Sequence, residues 1–152
     1  MKTIVIFNAE SRQYAMQEVS DLPSDGTMKV TIGKVTSKRS EAQNRLSWLW
    51  YGIRGEETGN TPEYEHAFCK LRYGVPIMRR DSEEFCYAYD TFIKPHGYEE
   101  KLAFIMNTDF PVTRDMSTKQ YSEYLDTIDR ESAEFGIQLP HPEDIYYMAM
   151  GY

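Results

Sequence analysis

The chain has few groups suited to catalysis, and one segment dense in groups that bind phosphates and bases. Its three histidines, His66, His96 and His141, form no recognisable ligand pair. His66 and Cys69 lie three apart on an expected helix, a spacing that one metal ion could share, but no second Cys/His pair lies nearby. There is no phosphate-cradling glycine loop and no G-x-S-x-G elbow. The acidic clusters Asp81/Glu83/Glu84, Glu99/Glu100 and Asp126/Asp129 read as helix starts, where the macrodipole favours carboxylates, or as solvated faces. No catalytic residue, cofactor or metal ligand is assigned, and the expectation is a protein that is not an enzyme.

The dense segment is basic. Lys29, Lys34, Lys38 and Arg39 run towards an expected helix start at Ser40, and Arg45 follows one and a half turns further on. Gln43 and Asn44 add amides able to bond phosphates or base edges, and backbone N–H groups at a helix entrance favour a phosphate. Trp48 or Tyr51, if exposed, could stack on an unpaired base at ~1–3 kcal/mol per base. Against this, Lys38 and Arg39 can be a solvated edge, Gln43 and Asn44 capping side chains, and both tryptophans core. The residues alone leave these readings balanced.

Local patterns specify the elements that hold these groups. Thr3–Phe7 is β-branched and apolar and reads as a strand; Met28–Val35 alternates and reads as a second. Residues 10–20 form a short amphipathic helix, and Leu22-Pro23-Ser24-Asp25-Gly26 a turn. Ser40 with Gln43 is a capping-box pair opening a helix to about Gly55, with Leu46, Leu49, Trp50 and Ile53 on one stripe. Thr61-Pro62 opens the next, with Gly74 as its stop. Asp81 or Ser82 opens another, ending before Pro95; Lys101–Met106 fits a strand or a buried helix equally. Ser117 with Gln120 repeats the capping box, starting a long amphipathic C-terminal helix that carries Tyr121, Tyr124, Leu125, Ile128 and Phe135 and stops at Gly136. The tail Glu143–Tyr152 is one or two helical turns. The expected fold is α+β: a small N-terminal sheet packed with several helices, all in one domain over residues 1–152.

Charge is uneven. Net charge is −7 overall, with 12 tyrosines, 7 phenylalanines and 2 tryptophans. Residues 1–27 carry −2, residues 28–80 carry +5 and residues 81–152 carry −10. A basic middle in an acidic chain permits a local phosphate-binding face on a protein that remains soluble. No secretion signal or membrane-spanning run is evident, and Cys69 and Cys86 read as a reduced pair, so a cytoplasmic location in a bacterial host cell is expected.

The block Arg39-Ser40-x-x-Gln43-Asn44-Arg45-x-x-Trp48 resembles the NinB (Orf) family of lambdoid-phage recombination proteins. Val112–Ser117 with Tyr121–Leu125, and Gly136–Asp144 with Tyr146-Tyr147, are similar to that family's C-terminal half, so the resemblance spans nearly the whole chain; residues 75–110 are the part it does not cover. It implies a homodimeric, non-catalytic α+β protein that binds single-stranded and gapped DNA. It also implies that the protein contacts the host single-strand-binding protein and helps to load a recombinase. Carried over, it puts Lys38, Arg39, Gln43, Asn44 and Arg45 at the DNA face, with Lys34 leading in, and makes Trp48 a scaffold residue. Two alternatives remain: an adaptor for the single-strand-binding protein, whose acidic tail would seek Arg72, Arg79 and Arg80, and a base-flipping or structure-specific DNA enzyme.

Overall fold

The computed structural model describes residues 2–6, 8–33 and 40–151. It comprises two compact units, Met1–Thr36 and Ser37–Tyr152.

In the first unit, Asn8 caps helix α1 (Ala9–Ser20) through a reciprocal pair with Ser11. The expected N-terminal sheet is absent: among the described residues there is no β-strand, and the chain is helical rather than α+β. Residues 2–6 and 28–33 are irregular, and the alternating side chains Met28, Val30 and Ile32 are exposed, Ile32 at 94%. The physical reason is that strand preference reports how well a side chain fits a pleated, half-buried surface. Two short segments cannot supply that surface without a third strand or a packed helix, and α1 buries no residue. Phe7, Lys34 and Val35, at the ends of the two expected strands, lie outside the described residues.

The second unit is a helical assembly around α2 (Glu41–Thr58), which packs on α3 (Pro62–Cys69), α7 (Thr118–Glu134) and α8 (Glu143–Met150). α2 begins at Ser40 with the expected capping box and ends at Gly59 in the left-handed region, which glycine adopts without a Cβ penalty. Its buried face is Ala42, Gln43, Leu46, Ser47, Trp50, Tyr51, Arg54 and Gly55. Leu49, expected inside, is exposed. The close turn after α2 needs Gly55, since a Cβ there would stand 2.5 Å from the Asn60 carbonyl oxygen.

Gly74 does not stop the next helix. α3 continues through a π-helical turn, Lys70–Gly74, into α4 (Val75–Asp81). The widened turn precedes Pro76, which cannot donate a backbone hydrogen bond. Gly74 is needed for proximity: a Cβ there would approach Val112 Cγ1 to 2.9 Å and Met116 Cε to 3.5 Å. Ser82 caps α5 (Glu83–Phe92), and the ambiguous run at 101–106 belongs to a helix, α6 (Tyr98–Asn107). The second capping box, Ser117 with Gln120, opens α7 as expected, with Tyr121, Tyr124, Leu125, Ile128 and Ser132 buried. Phe135, expected on that stripe, is exposed.

Candidate nucleic-acid interface

The basic segment divides at Ser40. Lys34, Lys38 and Arg39 lie outside the described residues, whereas Gln43, Asn44, Arg45 and Trp48 sit on the first two turns of α2 and point in different directions.

Gln43 faces inward and is 1% exposed. Its Oε1 accepts from the Ser40 backbone N–H at 3.0 Å, and its own N–H donates to Ser40 Oγ at 3.1 Å. Its Nε2 faces the Thr118 carbonyl at 2.8 Å, the Ala149 carbonyl at 3.0 Å and Ser122 Oγ at 3.1 Å. An amide has two protons for those three acceptors, so Gln43 has nothing left to offer a strand. It ties the start of α2 to the start of α7 and the end of α8, and drops out of the expected DNA contacts.

Asn44 and Arg45 face outward and are exposed. Arg45 makes no ion pair with any described residue, not even with Glu41 one turn before it. The arginines at 54, 79, 80, 114 and 130 are all paired. Trp48 also faces outward, 38% exposed, while Trp50 is 0% exposed and its Nε1 donates to the Pro140 carbonyl at 2.8 Å. Trp50 is thus the fully enclosed indole, whereas Trp48, expected as a scaffold residue, is only partly buried. The two indoles lie two positions apart, about 200° around the helix, so only one can be inside.

Trp48 is held by neighbouring rings. Tyr51 meets it edge-on at 5.3 Å, and His66 of α3 at 4.7 Å; Tyr51 and His66 stack on each other at 4.8 Å. Tyr51 is fully buried, and its hydroxyl is 2.7 Å from that of Tyr124. His66 thus belongs to an aromatic cluster. Cys69, three residues on, is buried, which pushes its thiol up to about 12. Among the described residues no three His, Cys, Asp or Glu side chains are grouped to hold a metal ion.

Lys119 is a residue that the sequence reading missed. The Gln43–Thr118 bond brings the N-termini of α2 and α7 together beside a groove of about 450 Å³. Ser40, Gln43, Thr118, Lys119 and the end of α8 line it. The dipoles of α2 and α7 direct their positive ends here and that of α8 its negative end, and exposed Lys119 adds a full positive charge. A lysine in the first turn opposes the macrodipole, and that local conflict was the available sequence signal. A cation inside the acidic third of the chain thereby sits next to the entrance of α2.

The arginines considered for a protein partner are mostly occupied. Arg79 forms a two-point pair with Asp90 of α5 at 2.8 and 2.9 Å. Arg80 makes two-point pairs with both Asp81 (2.7 and 2.8 Å) and Glu123 of α7 (2.7 and 2.9 Å). Arg72 is exposed and makes no ion pair with a described residue. Arg80, with Gln120, holds the Asp81 carboxyl well below the ordinary carboxylate range, and Arg80 also lowers Glu123. A depressed folded-state pKa contributes stability above the unfolded value, lost as pH falls through the folded value. The α4–α7 clip is thus expected to hold at neutral pH and to weaken progressively below about pH 4. Thermal melts across pH 2–7, in the range of ordinary carboxylate titration, should show this, with a smaller acid slope in Glu123→Gln. Added salt should reduce the effect, because the pair is exposed.

No protein-family model, curated protein or solved structure matches this chain.

Proposed function

We propose that this chain binds single-stranded or gapped DNA through the outer face of α2 and catalyses no reaction on it. In this reading it is a phage or prophage recombination mediator that acts as a homodimer with the host single-strand-binding protein to load a recombinase. The observation that carries the DNA-binding core of the proposal is the stripe Asn44–Arg45–Trp48. An arginine with no ion-pair partner among the described residues, an amide and an exposed indole occupy one outward stripe, directly after Lys38-Arg39 in the chain. Phosphate contacts by Arg45, with Lys119 near the same helix entrance, would supply affinity without sequence preference. The biological role rests on the resemblance of the block around Ser40, whose implied α+β fold this helical chain departs from. The adaptor reading is weaker, since Arg79 and Arg80 already have carboxylate partners.

Fluorescence anisotropy with labelled single-stranded, gapped and duplex DNA across a salt series tests the proposal. Tighter binding to single-stranded and gapped DNA, falling steeply with salt, is expected. Arg45→Ala should weaken binding several-fold and reduce the salt slope by about one. Absence of binding at low salt would overturn the proposal, as would Mg²⁺-dependent cleavage of the DNA. Sedimentation reads the dimer, and pull-down with purified single-strand-binding protein reads that partner.

A further inference from the structure

We infer that Trp48 is a stacking platform for an unpaired nucleobase, with Arg45 holding an adjacent phosphate; this rests on the DNA-binding reading above. Most of the exposed large apolar side chains are ordinary surface residues, but Trp48 differs in three respects. It is the one of two tryptophans that the core does not need, since Trp50 fills that place. Its ring is held in T-shaped contacts with Tyr51 and His66, so it is already oriented and a base docking on it orders little further. Part of the ring is open to solvent, and Gly52, one turn on along the same stripe, adds no side chain beside it; a Cβ there would meet nothing within 4 Å.

Charge identifies the occupant. Arg45, one turn before Trp48, has no acidic partner among the described residues, and Asn44 beside it has an amide that can bond a base edge. On the other side of Gly52, exposed Glu56 closes the stripe. Exposed Glu41, one turn before Arg45, bounds the stripe at its other end, so a phosphate is favoured at Arg45 itself, between two carboxylates, and a strand would cross α2 there with one base over the indole. A π-face accepts any base, which suits binding without sequence preference.

The test compares oligothymidylate with a strand of equal length that has the same phosphates but abasic sugars. Wild type, Trp48→Ala, Trp48→Phe and Arg45→Ala are used as full chains, with folding checked by circular dichroism. Wild type should prefer the strand with bases by roughly 5- to 150-fold. Trp48→Ala should lose most of that preference and Trp48→Phe should keep much of it. Arg45→Ala should weaken both strands alike. Equal wild-type affinity for the two strands, or an unchanged preference in Trp48→Ala, would overturn the assignment while leaving DNA binding intact. Failure of wild type to bind either strand would overturn the DNA reading with it. If Trp48→Ala leaves affinity unchanged but dissociates a dimer, the indole is a protein contact and the inference fails.

Discussion

Glu65→Ala is expected to destabilise the protein by about 3–5 kcal/mol, enough to unfold a domain of ordinary stability. Glu65 and Arg54 are both almost fully buried, and Arg54 Nε donates to Glu65 Oε2 at 3.0 Å. The guanidinium also donates to Ser132 Oγ of α7 and lies over the Phe68 ring, and Glu65 Oε1 accepts from Thr58 Oγ1 at 2.7 Å and Asn60 Nδ2 at 3.1 Å. This network joins α2, the turn after it, α3 and α7. Removing the carboxylate leaves a guanidinium in the interior with no opposite charge, and takes one hydrogen-bond partner from Thr58 and Asn60. The attraction itself contributes less than this loss suggests, because desolvating two ions consumes much of it. Arg54→Met combined with Glu65→Leu should therefore recover most of the stability that Glu65→Ala loses. Urea denaturation of the two variants measures this. A double variant no more stable than the single one would show that the network is needed as hydrogen bonds and not only as matched charges.

Trp50→Ala is expected to cost a similar amount, about 3–5 kcal/mol. The indole is completely enclosed, and its N–H bonds the Pro140 carbonyl, fixing the segment that leads into α8. Truncation removes a large apolar area, opens a cavity that neighbouring side chains fill only in part, and leaves that carbonyl without its donor. Trp50→Phe should fall between, since it restores much of the volume but not the hydrogen bond. Trp48→Ala provides the contrast: its ring is partly in water and gives up its contacts with the Tyr51 and His66 rings. It should cost no more than about 1–2 kcal/mol. Thermal melts of the three variants separate the two indoles. Equal losses at both positions would contradict the division between inner and outer tryptophan.

Helix boundaries were the most legible feature of the sequence. Ser40 with Gln43, Thr61 with Pro62, and Ser117 with Gln120 each mark a helix start where one occurs. Caps are chemistry between residues three apart and need no tertiary partner. The same locality explains the failures. β-branched runs at 3–7 and 28–35 signal a preference that only a neighbouring strand can satisfy, and the described residues provide none. Gly74 reads as a helix stop because glycine often is one; its actual constraint is Val112, 38 positions away in the chain, which local patterns cannot reveal.

The candidate site shows the same division. The sequence by itself determined that a helix begins at Ser40 and that Gln43, Asn44, Arg45 and Trp48 occupy its first turns, because capping and a 3.6-residue repeat are local properties. Tertiary structure alone decided which of them face water. Once α7 and α8 pack on α2, Gln43 is committed to Thr118, Ser122 and Ala149, and Trp50 to Pro140. Asn44, Arg45 and Trp48 are left on the uncovered side, while Lys119, 76 positions downstream of Gln43, lines the groove beside that residue. A helix has two sides, and only the partner that covers one of them determines which residues remain available to a ligand.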